Sequence, residues 1–436
     1  MKVHVRTLGC RLNQAEMEAL GRALTAGGQT LMDDPAEADQ IVVNTCAVTQ
    51  DAVHTSRKLA RQLNRAAPQA AITLTGCYAQ LAPVEAAALP GVASVVGNAD
   101  KDHLASGLGR VDAYDLELLQ RDAQARMGRT RAFVKVQDGC DNACTFCVTT
   151  VARGAGRSRP TDEIVREIAL LTALGYLEIV LTGVHLGSYG HDAGNREGLA
   201  ELTHRILVET NAPRLRLSSL EPWDLSPAFF DLWRDDRLCP HLHLPLQSGC
   251  DATLRRMGRR TTQASFRRLI EAARERISDP AITTDVIAGF PGETDDEFEQ
   301  SAAFIAAQGF AGMHIFRYSR RPGTAADRMR GHVDETVKKA RSETLHALAA
   351  EAQAAYAPRW LGRALPVVWE QVAGAREDGF LNVGYTPNYL RAACVHPRAL
   401  THTVTLAHLD RYDRHTGQVQ VTPQLVEERI PEVDYE

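Results

Sequence analysis

From residue 131 onward the chain alternates two kinds of segment, and that alternation limits the folds open to it. Short apolar runs at 132–137, 177–182, 214–219, 241–246, 282–288 and 313–319 are each followed by a helical stretch, the last at 333–357. Strand–helix alternation implies parallel strands joined by crossover helices. Six such units are too few to close an eight-fold barrel, so an open, partial (β/α)6 barrel is expected over about 130–357. Residues 1–115 show the same alternation in a smaller unit. Strands at Lys2–Thr7, 40–44, 72–75 and 93–96 surround helices at 14–26 and 51–66, which reads as a doubly wound parallel sheet. A linker near 110–130 separates the two α/β regions. The tail, 358–426, carries five β-prone runs (365–371, 379–385, 389–395, 403–409 and 418–422) separated by Gly, Pro, Asn and Asp, the pattern of a small antiparallel β-barrel.

Composition agrees with three packed units. The chain has 436 residues, 44% hydrophobic and 24% charged, values that exclude a disordered, collagen-like or disulfide-scaffold protein. No apolar run approaches the ~18 residues of a membrane span, and the charged start MKVHVRTLGC is no signal peptide, so a cytoplasmic location is expected. Nine cysteines is an odd number, and in a reducing compartment metal or redox chemistry is their first use to consider.

Cys140, Cys144 and Cys147 form C-x3-C-x2-C in the loop GCDNACTFC, directly after a strand. A structural zinc site wants a fourth ligand, and none lies nearby in sequence. A 4Fe-4S cube takes one thiolate per iron, so three cysteines leave one iron open. An open iron can chelate an amine and a carboxylate together, which S-adenosylmethionine offers, and Phe146 is placed to pack on such a cofactor. Cys10, Cys46 and Cys77 are far apart in sequence, yet each follows a strand of the first sheet. Loops after parallel strands share the carboxyl edge, so these thiols can converge on a second cluster. The other reading is three buried, inert cysteines. Cys239, Cys250 and Cys394 show no ligand spacing and read as packing residues.

The net charge of −5 disfavours nucleic acid as a partner, but positive charge is concentrated locally. Residues 129–160 hold six Lys/Arg against two Asp, 255–276 eight Arg against two Glu, and 317–330 five Arg against one Asp. Such stripes are solvated faces or phosphate contacts. The helix at 51–66 presents Arg57, Lys58, Arg61 and Arg65 on one side, with the same two readings.

Taken together, TLGCRLNQAE, NTCAVT, TGCYAQ, GCDNACTFC, ARGAGRSRP, LPLQSG, DVIAGFPGE and FRYSRRPGTAA stand in an order that resembles the radical S-adenosylmethionine methylthiotransferases. The resemblance spans nearly the whole chain. It is strongest to the branch acting on threonylcarbamoyladenosine in tRNA, since Ala47-Val48-Thr49 and Arg11-Leu12-Asn13 differ from the isopentenyladenosine and ribosomal-protein branches. It implies an auxiliary-cluster unit at 1–115, a radical core at 130–357 and a TRAM-like RNA-binding barrel at 358–426. It implies two 4Fe-4S clusters, on Cys10/Cys46/Cys77 and on Cys140/Cys144/Cys147, with S-adenosylmethionine held near Gly183, Ser219, Glu221, Asp285 and Gly289. The strand-end turns at those positions are equally ordinary punctuation, and His185, His241 and His243 read as structural. Arg153, Arg157 and Arg159, beside the cluster loop, are candidates to grip phosphate or a threonylcarbamoyl carboxylate. The implied partners are the tRNA anticodon stem-loop, an electron donor and a sulfur source, and the implied product is 2-methylthio-threonylcarbamoyladenosine. Val148-Thr149-Thr150 departs from the family's usual aliphatic-aliphatic-Pro. A methylthiotransferase of another branch and a non-catalytic iron–sulfur RNA-binding protein are the alternatives.

Overall fold

The computed structural model describes residues 1–101, 104 and 129–424; most of the expected linker and residues 425–426 lie outside them. Among the described residues, β1 (Lys2–Thr7), β2 (Thr30–Leu31), β3 (Gln40–Thr45), β4 (Ala71–Thr75) and β5 (Val92–Val95) form one parallel sheet. Its order is β2-β1-β3-β4-β5. The order reverses between β1 and β3, and a crevice at the carboxyl ends of the strands is where such sheets bind ligands. Cys10 follows β1 and Cys46 follows β3, so both emerge at that point. The two-residue strand β2 was not expected; it is too short to show a period.

The helix Arg11–Ala26 starts directly on Cys10. Met17, Leu20 and Leu24 pack on Val3, Leu31 and Val42 of the sheet, while Ala15 packs on Phe133 and Val180 of the next unit. A helix covered on both sides needs its polar groups paired. Arg22 accordingly meets Glu167 at 2.5 Å in the helix Thr161–Ala173.

The next unit is the open barrel that the alternation implies. β6 (Arg131–Lys135), β9 (Glu178–Thr182) and β10 (Leu215–Leu217) pair in parallel, as do β11 (His241–His243), β12 (Ala281–Ala288) and β13 (Gly312–Arg317). Isolated bridges Leu215↔Leu238 and Ser219↔His243 join the two halves. A short antiparallel ribbon, β7 (Gln137–Asp138) with β8 (Arg157–Ser158), brackets the loop that carries Cys140, Cys144 and Cys147. Two-residue strands leave no period, and this ribbon was not foreseen.

Five strands close the C-terminal barrel in the order β14-β15-β16-β18-β17. They are β14 (Ala364–Arg376), β15 (Gly379–Tyr385), β16 (Arg391–His396), β17 (Val404–Asp413) and β18 (Gln418–Gln424). The expectation of a wholly antiparallel barrel is corrected at one seam, because β16 and β18 pair in parallel through Ala392↔Val419 and Ala393↔Gln420. An odd number of strands cannot close with every neighbour antiparallel, so one seam has to be parallel.

This barrel docks onto the amino-terminal end of the larger one. The Tyr389 ring, from the β15–β16 turn, lies 4.6 Å from His241 and beneath the Arg216 guanidinium at 4.6 Å. Glu178 binds Arg216 through paired bonds of 2.8 and 3.0 Å and meets Arg214 at 2.8 Å. Arg11, the residue after Cys10, donates to the Tyr389 hydroxyl at 2.6 Å. All three units therefore meet at one tyrosine. Among the described residues, no helix is long and apolar enough to cross a membrane.

Candidate active site

Glycine geometry shapes the Cys140/Cys144/Cys147 loop. Gly139 adopts φ +71°, and a Cβ there would sit 1.8 Å from the Ala155 carbonyl oxygen, so only glycine allows the loop to fold back on itself. Donors then turn toward the sulfurs. The Asn142 N–H lies 3.4 Å from Cys140 Sγ and the Thr149 N–H 3.4 Å from Cys147 Sγ. The buried Arg259 guanidinium reaches Cys144 Sγ at 3.7 Å and binds Glu221 at 3.1 and 2.6 Å. Burial pushes the Cys144 thiol up to about 11, against the pull of Arg259. A neutral thiol has little use for three such donors, whereas thiolates on a 4Fe-4S cluster are tuned by them. The residues therefore fit a cluster.

His185 stands beside Cys140. Burial disfavours its charged form, but hydrogen bonds with Asp224 and Cys140 outweigh that and raise the imidazole to about 9. Asn142 Nδ2 lies 3.2 Å from its Nδ1. His185 thus stands against the cluster loop, a placement that no spacing rule in the sequence links to Cys140.

Cys10, Cys46 and Cys77 converge as their post-strand positions require. Charge on Cys10 and on Cys77 raises the Cys46 thiol further, after burial, and Cys10 does the same to Cys77. Gly9, at φ +96°, brings the backbone so close that a Cβ would meet Cys46 Sγ at 2.6 Å. Three mutually coupled thiols at one sheet edge fit a second cluster with one open iron.

Arg153 joins the two triads. It is 4% exposed, and it donates to Glu16 at 2.9 Å, Asp138 at 2.9 Å and Asn13 at 2.6 Å. It also lowers the Cys77 thiol against burial. The expectation that Arg153 grips substrate is therefore corrected, because its hydrogen-bonding capacity is spent on buried partners. Arg159 is likewise committed, to Glu167 at 2.7 Å and the Lys135 carbonyl at 2.6 Å. Arg157 is exposed. Glu16 and Asn13 were not picked out as site residues, although both stand in TLGCRLNQAE just after the first cysteine.

The residues expected around the cofactor divide. Gly183 lies against Gln137, leaving a Cβ 3.0 Å from Oε1, and Gln137 Oε1 accepts from the His185 N–H at 2.9 Å. Ser219 is exposed, and Glu221 is held by Arg259. Gly289, at φ +73°, is a tight turn covered by Lys338, where a Cβ would fall 2.3 Å from Cγ; this corrects the expectation that it faces a cofactor. Asp285 pairs with His243 at 3.2 Å and His314 at 3.0 Å on the neighbouring strands. Their ligand atoms all lie within 4.8 Å of one another, a spacing that suits a metal ion. Cys239, Cys250 and Cys394 are buried, as packing residues should be. In the positive window 255–276, Arg256 is tied to Glu297 at 2.9 Å and Arg259 is buried, while Arg255 and Arg260 stay exposed.

Residues 134–305 match the Radical SAM superfamily, and residues 2–97 match Uncharacterized protein family UPF0004. The threonylcarbamoyladenosine tRNA methylthiotransferase MtaB of Bacillus subtilis is 38% identical over 408 residues, 89% of each chain. The chain belongs to the radical SAM methylthiotransferase family. The MtaB protein of Thermotoga maritima is 36% identical to this methylthiotransferase over 98% of this chain and 99% of its own. A tRNA-2-methylthio-N(6)-dimethylallyladenosine synthase of Maricaulis maris is 33% identical over 85% of this chain and 87% of its own. Among solved structures, the radical S-adenosylmethionine methyltransferase TsrM of Kitasatospora setae shares the fold. It aligns with a TM-score of 0.55 at 17% identity over 75% of this methylthiotransferase and 77% of that chain. The methylthiotransferase is thus an enzyme of S-adenosylmethionine and 4Fe-4S chemistry.

Proposed function

We propose that this methylthiotransferase replaces the C2 hydrogen of threonylcarbamoyladenosine, beside the tRNA anticodon, with a methylthio group. The carrying observation is the joining of two thiol triads through the buried Arg153. A reaction that both activates a carbon and delivers sulfur to it needs two such centres side by side. The branch is supported by relatives of 38% and 36% identity that bear the threonylcarbamoyladenosine name, against 33% for a dimethylallyladenosine relative.

With clusters and two molecules of S-adenosylmethionine bound, the cofactors supply a carbon radical at Cys140/Cys144/Cys147, sulfur at Cys10/Cys46/Cys77, and the methyl group. The protein's part is placement. Arg259 holds charge beside Cys144 and orients Glu221, while Gln137 pins the turn at Gly183 against the cluster loop. Arg153, Glu16 and Asn13 hold the two loops in fixed register. Cys46, Cys77 and Cys140 are buried and Cys144 and Cys147 half-buried, which limits the access of water and stray hydrogen donors to the reacting carbon, while Cys10 stands at the open side. In this reading residues 1–115 form the auxiliary unit, 130–357 the radical core and 358–426 a TRAM-like barrel that helps hold tRNA. Arg157 is an exposed candidate for phosphate, and an electron donor and a sulfur source complete the cytoplasmic system.

Enzyme reconstituted anaerobically and given tRNA with or without the threonylcarbamoyl group should yield the 2-methylthio nucleoside only from the modified tRNA. Nucleoside mass analysis reads this directly. Methylthiolation confined to isopentenyladenosine, or to a ribosomal-protein aspartate, would move the chain to another branch.

A further inference from the structure

The segment after β13 touches both cysteine loops. The Ala326 N–H bonds the carbonyl of Thr145, between Cys144 and Cys147, at 2.8 Å. Tyr318 packs edge-on to Phe290 at 5.4 Å, and Phe290 does the same to Phe146 at 6.4 Å. On the other side Arg321 Nε donates at 3.0 Å to the carbonyl of Val48, two residues after Cys46. The Arg321 carbonyl is itself held by the Thr324 hydroxyl at 2.8 Å, so the side chain is aimed by its own turn.

Arg321 is 5% exposed, yet its Nη2 has no hydrogen-bond partner. Burial lowers its basicity, and negative charge on Cys46 is the largest influence opposing that, followed by Asp51 and Tyr318. A guanidinium sealed from water with a free N–H pair is costly unless an anion completes it. The triad whose loop it bonds and whose charge acts on it is Cys10/Cys46/Cys77, and three thiolates leave one iron of a cube open.

We propose that Arg321 is a positioning residue of that triad: its free Nη2 hydrogen-bonds an anionic sulfur ligand bound at the position the three cysteines leave open. The proposal rests on the reading that these cysteines carry a cluster. A thiolate or hydrosulfide is soft, negatively charged and able to accept such a bond. The bond would keep the sulfur anionic and aim it toward the radical loop that the same segment also touches.

The test uses full-length enzyme with both clusters reconstituted, titrated with methanethiolate while the EPR signals of the reduced clusters are followed. Wild type should show a saturable spectral change. Arg321→Met should raise the half-saturation concentration roughly ten- to a hundred-fold, as expected for loss of one charge-assisted hydrogen bond, with iron content unchanged. Arg321→Lys, which keeps the charge, should recover part of the affinity. Equal half-saturation in all three proteins overturns the proposal, as does loss of iron in both variants. A shifted reduction potential with unchanged methanethiolate affinity also overturns it, assigning Nη2 to the cluster's own sulfide. If wild type holds only about four irons, the reading of the triad fails before Arg321 is tested.

Discussion

Gly9 governs how closely Cys10 and Cys46 approach. A methyl group there would meet Cys46 Sγ at 2.6 Å while straining a backbone at φ +96°. Gly28 also has positive φ, at +79°, but nothing lies within 4 Å of its Cβ position. The pair separates backbone strain from damage to the ligand set. Gly9→Ala should drop reconstituted iron from about eight to about four per chain, because one of two clusters is lost. Gly28→Ala should keep the iron and lose only about 1–2 kcal/mol of stability. Iron analysis with denaturant unfolding checks both. Full iron in Gly9→Ala would remove Cys46 from the ligand set.

Among elements, the junction around Glu178 ties the C-terminal barrel to the core. Burial alone would raise this carboxyl, but Arg216, Arg214 and Arg131 hold it well below the usual carboxylate range. Its stabilising contribution is therefore present above the unfolded value of ~4.3 and is lost as pH falls below that. Burial keeps His241 neutral, with Arg216 adding to the effect. The unfolded chain takes up that proton below about pH 6.5, so this contribution too is lost on acidification. Unfolding midpoints should fall as pH drops below about 6.5 and more steeply below about 4.3. Glu178→Gln should cost about 3–5 kcal/mol at neutral pH, leaving arginines buried without their counter-charge, and should flatten the lower part of the curve. A midpoint that ignores pH between 4 and 7 would contradict this assignment.

These elements also mark what the sequence discloses. The six strands of the open barrel and the five of the closed one were legible because each is an apolar run with turn residues at its ends. Convergence of Cys10, Cys46 and Cys77 was legible because post-strand loops of a parallel sheet share an edge. The β7–β8 ribbon was not, since two residues carry no period. Nor was the bond from Arg11 to Tyr389, whose partners lie 378 residues apart. Arg153 looked like a substrate contact because it is basic and near the cluster loop. Only packing reveals that Glu16 and Asp138, from two different elements, neutralise it.

For the whole molecule, the C-terminal barrel is docked against the core and buries polar groups there. Tyr389, Thr386 and Pro387 cover Arg216 at the amino-terminal end of the core, and Arg11, the residue beside Cys10, bonds this plug through Tyr389. Under the proposed function, these contacts fix the three units so that both triads serve one substrate carbon. Hydrogen at an adenine C2 is attached to an sp² carbon that no side-chain base can usefully deprotonate, and radical abstraction needs near-contact geometry. The most direct measurement uses tRNA deuterated at C2 of its threonylcarbamoyladenosine. During turnover the deuterium should appear in 5′-deoxyadenosine as the methylthio product forms. Product that retains the deuterium, or turnover that leaves 5′-deoxyadenosine unlabelled, would contradict the account.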